Sequence, residues 1–207
     1  MKEIKIQWLG HSCFKLTCDD YSVVTDPYED GYVPGLRPLN VSADAVMCSH
    51  GHSDHNAEGK VKLLKSARKS PFTITELDSY HDDCKGEKRG PNKMRIFEAE
   101  GIRVAHLGDI GCMPEESQVE KLKNLDAVMI PIGGFYTMEP ALCRELLNII
   151  KPRIVIPMHY RSEAFGYDVI GTLEDFLEKE DRVKYYEGDT MVINKDTEAQ
   201  IAVLKYL

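Results

Sequence analysis

The sequence contains no run long and apolar enough to span a membrane and no signal-like apolar core behind its first residues. Its opening, from Ile4 to Trp8, alternates charged or polar with apolar side chains instead. These absences predict a cytoplasmic chain with no membrane association. There is also no Cys-x-x-Cys pair: Cys13, Cys18, Cys48, Cys84, Cys112 and Cys143 are scattered. Scattered cysteines in an intracellular chain read as reduced thiols, several of them small core residues. Positive charge is in deficit, with 26 Lys and Arg against 34 Asp and Glu and a net charge of -8. A long nucleic acid or an anionic membrane rewards a basic face, so neither is an expected partner. Low-complexity segments, linkers and repeats are missing too. The 207 residues, 43% hydrophobic and 29% charged, are therefore expected to form one domain spanning 1–207.

Short strand-like runs dominate the first part: Ile4 to Leu9, Cys13 to Thr17 and Tyr21 to Thr25. Asp26-Pro27, Gly31, Pro34, Gly35 and Pro38 mark a loop leading to a strand that ends at Cys48. Residues 58–69 are predicted helical on a mixed apolar stripe, Phe72 to Thr75 a strand, and 78–94 a polar loop. A hairpin is expected at 95–106, turned at Glu100-Gly101. Later segments alternate: helices at 115–125, 140–150 and 172–179, strands at 127–132, 154–157, 183–186, 191–193 and 201–204. Two sheets covered by helices follow from that order.

Three of the seven histidines and one aspartate fall in the window His50-Gly51-His52-Ser53-Asp54-His55, directly after the apolar run Ala45 to Cys48. Imidazole and carboxylate suit zinc, manganese or iron, and no thiolate cage accompanies them. His50 and His52 are two apart, with Gly51 expected to let both imidazoles converge on one ion. Asp54 and His55 can then face a neighbouring ion. Further candidates sit at strand ends or in the loops beyond them: His81, His106, Asp109 and His159. A closed structural zinc site would use four ligands and favour cysteine.

The segments His50 to His55, His106-Leu107-Gly108-Asp109 and Pro157-Met158-His159-Tyr160 together resemble the metallo-β-lactamase superfamily. Trp8-Leu9-Gly10-His11-Ser12 and the segment 126–134 are similar to its broad branch of metal-dependent hydrolases, which includes ascorbate-phosphate lactonases and phospholipase D-type lipid hydrolases. The resemblance implies an α/β fold, a four-layer αββα sandwich with two divalent metal ions, most often zinc, at one edge. It implies that His50, His52 and a third histidine hold one ion. Asp54, His55 and His159 would hold the other, with Asp109 bridging. The third histidine is His81 or His106; chain order favours His81, leaving His106 in the surrounding shell. His11 would be a pocket residue, or a hydrogen-bonded turn histidine. Asp26 would fix a ligand histidine's tautomer, or simply open a turn.

The expected chemistry is hydrolysis of an ester, lactone or phosphodiester by a hydroxide shared between the ions, with Asp54 as the catalytic group that orients it and takes its proton. The basic stretch 85–93 offers Arg89 and Asn92 to a small anionic substrate, unless it is merely solvated. Two other readings stand beside this one. One is a mononuclear iron oxygenase of the persulfide type; the other is a non-catalytic, metal-stabilised binding module. The apolar loop 135–138 would suit a second copy of the chain.

Overall fold

The computed structural model describes residues 3–65, 68–178 and 180–207. The first sheet grows from an antiparallel meander of β1 (Ile4–Gly10), β2 (Cys13–Cys18) and β3 (Tyr21–Thr25). In β1, buried Ile4, Ile6 and Trp8 alternate with less buried neighbours, as a strand with one face on a core requires. A small parallel pair follows, β4 (Val41–Ala43) with β6 (Val61–Leu63). Between them β5 (Ala45–Met47) joins β3 in parallel, and Glu58–Lys60 forms a 3-10 turn.

The second sheet begins with β7 (Thr73–Tyr80), β8 (Pro91–Ala99) and β9 (Ile102–His106), all antiparallel. Then come α1 (Glu116–Leu122), β10 (Ala127–Pro131), α2 (Pro140–Ile150), β11 (Ile154–Met158) and α3 (Leu173–Leu177). The chain closes with β12 (Val183–Tyr185), β13 (Thr190–Ile193) and β14 (Gln200–Val203). Strand order is β13-β1-β2-β3-β5 in one sheet and β12-β14-β11-β10-β9-β8-β7 in the other.

Every residue of β10 and β11 is buried. Parallel strands covered on both faces carry such unbroken apolar runs. On α2, Cys143, Leu146 and Ile150 recur at spacings of three and four, giving the helix one buried stripe. The main core includes Ile4, Ile6, Trp8 and Phe14 of the first sheet with Phe97, Val104, Met129 and Ile156 of the second. The outer face of the first sheet is covered differently. Cys13 and Val24 pack there against Tyr28, Val33 and Leu36 of the connecting loop and against Ala43 and Val61 of the small sheet. That outer layer is thus mostly coil. All six cysteines are free, and among the described residues no helix is long and apolar enough to cross a membrane.

Two sequence expectations need correction. The helix expected at 58–69 is a 3-10 turn followed by β6, with Ser66 and Ala67 outside the described residues. Val61 is buried against the outer core, while Leu63 stays 55% exposed. Of the stripe, Val61 finds apolar cover while Leu64 stays 36% exposed, and the segment pairs with β4 instead. The polar loop expected at 78–94 is shorter: β7 and β8 pair from Thr73↔Glu98 to Tyr80↔Pro91, leaving 81–90 as loop. β7 is an edge strand whose outward side chains are solvated, so its composition reads as loop. Cross-strand ion pairs, Glu76 with Arg95 and Asp78 with Lys93, both at 2.7 Å, hold it in register. The helices at 115–125 and 172–179 are shorter than expected, with Lys179 outside the described residues.

Candidate metal centre

Strand direction explains why distant histidines meet. β1, β3 and β5 run the same way in one sheet, as do β7, β9, β10 and β11 in the other. His11, Asp26 and the 50–55 loop lie just beyond the first three; His81, Asp109 and His159 lie just beyond β7, β9 and β11. Carboxyl ends of strands are where such sheets gather site residues. The two edges are tied beside the site by Lys93 N–H to Ser49 O at 2.9 Å and Arg95 Nη1 to Cys48 O at 2.8 Å.

The side chains fall into two sets. Ligating atoms of His50, His52 and His81 lie within 4.8 Å of one another, and so do those of His11, Asp54, His55 and His159. Asp109 Oδ2 stands between the sets: 3.1 Å from His55 Nε2, 3.1 Å from His159 Nε2, 3.3 Å from His81 Nε2 and 4.0 Å from His50 Nε2. Gly108 makes that position reachable. Its φ is +56°, and a Cβ there would sit 2.3 Å from Asn92 Oδ1. Gly51, by contrast, has no left-handed φ and open space around it, so convergence of His50 and His52 does not depend on glycine there. His11, Asp26 and His159 all adopt left-handed backbone, with φ of 51°, 45° and 54°. Such strain in non-glycine residues collects at functional sites.

Asp26 is fully buried and organises both sets. Its Oδ1 accepts Ser49 N–H at 2.7 Å, and its Oδ2 accepts both Ser49 Oγ–H at 2.6 Å and His55 Nδ1–H at 2.9 Å. Ser49 Oγ, its proton committed to Asp26, accepts from His50 Nδ1 at 2.9 Å. One carboxylate therefore fixes the tautomer of a histidine in each set and leaves each Nε2 lone pair facing inward.

The electrostatics ask for cations. Burial drives His50 down to about 3, helped by the neighbouring His55, and drives His11 down to about 4, helped by His159. Burial opposes charge on His55 as well, but Asp109 and Asp54 outweigh it and hold that imidazole well above its ordinary value. Asp109 and Asp54 lie below the usual carboxylate range because nearby histidines overcome their burial. His11 Nδ1 and Nε2, His50 Nε2, His55 Nε2 and Asp109 Oδ1 are buried with no hydrogen-bond partner. Each such atom costs about 1–3 kcal/mol unless something binds it. Imidazole and carboxylate donors converging on two foci fit divalent zinc, manganese or iron.

His81 stands with His50 and His52, whereas His106 is turned away from them. His106 Nδ1 accepts Gly108 N–H at 3.1 Å, so its Nε2–H donates to Ser12 O at 2.8 Å. Asn92 departs from its expected place toward substrate. It is buried, donates to Ser79 Oγ and Leu107 O, and accepts Asp109 N–H at 2.9 Å, which positions the Asp109 loop. A cavity of about 320 Å³ opens over the centre, lined by Tyr32, His52, Asp54, His81, Arg89, Asp109, Tyr136, His159 and Tyr167. Arg89 enters it from the 81–90 loop, where the Asp82 carboxylate accepts backbone N–H groups of Cys84, Gly86, Lys88 and Arg89. Its guanidinium lies 5.7 Å from the centre of the Tyr136 ring. Of the 135–138 loop, Phe135 is exposed and Met138 is buried. Sequence reasoning missed Ser49, Tyr32 and Tyr167, the last donating to Asp54 Oδ2 at 3.2 Å.

This fold and its histidine-aspartate edge define the class, and residues 5–159 match the β-lactamase superfamily domain. The chain belongs to that superfamily and, within it, to the UPF0173 metal-dependent hydrolases. The relative of that name from Thermoplasma acidophilum is 30% identical, over 78% of this chain and 85% of its own. A Thermotoga maritima protein assigned to the Zn-dependent hydrolases of the metallo-β-lactamase superfamily superposes with a TM-score of 0.76. It is 30% identical and covers 97% of this chain and 98% of its own. Igni18, a metallo hydrolase from Ignicoccus hospitalis, shares the fold at a TM-score of 0.67 and 20% identity, covering 93% and 99%.

Proposed function

We propose that this chain is a binuclear hydrolase of a small anionic ester, lactone or phosphodiester. The observation that carries the reading is the pair of ligand sets meeting at Asp109 Oδ2 on the floor of the cavity. His50, His52 and His81 would hold one divalent ion and Asp54, His55 and His159 the other, with Asp109 between them. When bound, the ions supply Lewis acidity and bring the ionisation of water toward neutral pH.

The chain's own groups do the remainder. Asp54 faces the cavity with Tyr167 Oη donating to its Oδ2, so the carboxylate is held in place to orient the attacking water and take its proton. Arg89 lines the same cavity, preset against Tyr136, and offers planar donors to a carboxylate or phosphate. Tyr32, Tyr136 and Tyr167 give the mouth apolar ring surface with hydroxyl tips, suited to a compact organic body next to the anionic group. Histidine and aspartate supply every donor, a set that suits zinc, manganese and iron.

The test is a panel of esters, lactones and phosphodiesters, each in anionic and neutral forms, assayed after zinc or manganese reconstitution. Turnover of anionic members is expected, with Arg89→Ala raising their KM about tenfold or more and leaving neutral members unchanged, as loss of a charge-assisted contact requires. No turnover of any member by the metal-loaded protein would overturn the reading.

A further inference from the structure

His11 occupies a turn that has no conformational need of histidine. It follows Gly10 between β1 and β2, with left-handed backbone that glycine or asparagine would adopt more readily. The turn is nonetheless pinned: its carbonyl accepts Trp8 Nε1–H at 2.9 Å and His159 N–H at 3.4 Å. The effect is to drive the imidazole inward until it is 1% exposed, with neither ring nitrogen hydrogen-bonded. A packing role would be better filled by an apolar side chain. The ring lies 4.0 Å from that of His159 and 5.3 Å from that of His55, centre to centre. Its Nε2 is 3.4 Å from Asp54 Oδ2, and its ligating atom lies within 4.8 Å of those of Asp54, His55 and His159.

We propose that His11 is itself a ligand of the second ion, making with Asp54, His55 and His159 a four-donor set beside Asp109. This rests on the binuclear reading and makes the two halves of the centre unequal. The first set offers three donors, and its His52 is exposed to solvent. The second, with four donors, is closed on the protein side and holds its ion more tightly.

The experiment uses the full chain stripped with chelator and titrated with zinc in competition with a chromophoric chelator, and with cobalt(II) followed by its visible absorption. Wild type is expected to take up two ions of unequal affinity. His11→Ala should weaken the tighter ion by roughly 100-fold or more, the upper end of what an outer hydrogen-bonding partner accounts for, and leave the weaker one unchanged. The cobalt bands of the tighter site should shift and intensify as a donor is lost. His11→Asn, which suits the left-handed turn but cannot reach the focus, should behave alike and carries the test if the alanine variant does not fold. Melting in chelator reports folding apart from metal. Wild-type affinities and cobalt bands in either folded variant would overturn the assignment and leave His11 as a hydrogen-bonding neighbour of Asp54. Fewer than two ions on wild type would instead sink the binuclear reading itself.

Discussion

Asp26→Asn isolates how one carboxylate serves two ligand sets. In the structure Asp26 accepts Ser49 N–H, Ser49 Oγ–H and His55 Nδ1–H, and Ser49 Oγ passes the constraint to His50. An asparagine keeps the size but brings an NH2 where all three neighbours donate, so at least one bond is lost or reversed. Outer partners of ligand histidines are each worth about 10–100-fold in metal affinity. At about 1.4 kcal/mol per tenfold, that is roughly 1.4–2.8 kcal/mol per ion, and both ions are affected because each set contains one anchored histidine. Ser49→Ala breaks only the branch to His50 and leaves His55 bonded directly to Asp26. Zinc competition titrations on the stripped proteins separate the two cases. Asp26→Asn should weaken both ions, and Ser49→Ala only the one held by His50, His52 and His81. Equal weakening of both ions by Ser49→Ala, or wild-type affinities in Asp26→Asn, would refute the shared-anchor reasoning.

Asp54→Asn should lower kcat by at least about 100-fold, the scale of lost general-base catalysis, while elemental analysis still finds most of the metal; equal losses of metal and rate would make Asp54 a purely structural ligand. Gly108→Ala meets both a left-handed φ and a 2.3 Å approach to Asn92 Oδ1, so it should destabilise by roughly 2 kcal/mol or more and lower Tm by about 4–8 °C; an unchanged melt contradicts the cradle. Asp126, away from the centre, has its carboxyl pushed up by burial but held below the usual range by Arg103 N–H at 2.8 Å, Lys195 Nζ at 2.9 Å and Arg153 Nη2 at 2.8 Å. A depressed folded-state value means that its stabilisation is complete above the ordinary carboxylate value near 4 and is lost as pH falls through the folded one. Asp126→Asn should therefore lower Tm at neutral pH and narrow the gap to wild type in acid; a constant gap from pH 7 to 3 would contradict this.

Much of the site was legible because its chemistry is dense in the chain. His50 to His55 carries four potential ligands in six residues, and His159 follows β11, whose unbroken apolar run announces it. What distinguishes His81 from His106 is not in the local sequence. Both sit at strand ends, and only the folded chain shows that Ser12 O and Gly108 N–H consume both nitrogens of His106. Asn92 was misplaced for the same reason. It sits in a basic stretch, but strand alternation turns it inward while Lys93 points out to Asp78. Ser49 and Tyr167 carried no signal at all, since a serine beside a ligand and a tyrosine in a remote loop acquire meaning only across 23 and 113 residues of chain. The facing ends of β7 and β8, 78–80 and 91–94, read as loop because a solvated edge strand has loop composition. The segment 58–69 was read as helix because periodicity ignores what a stripe will face.

The central claim is that two divalent ions share this centre. Its most direct test is metal content per chain by elemental mass spectrometry, on protein purified without chelator and again after zinc or manganese reconstitution. The account predicts two ions per chain in the reconstituted protein, falling when His50, His81 or His159 is replaced. One tightly held iron, or no binding after reconstitution, would contradict it.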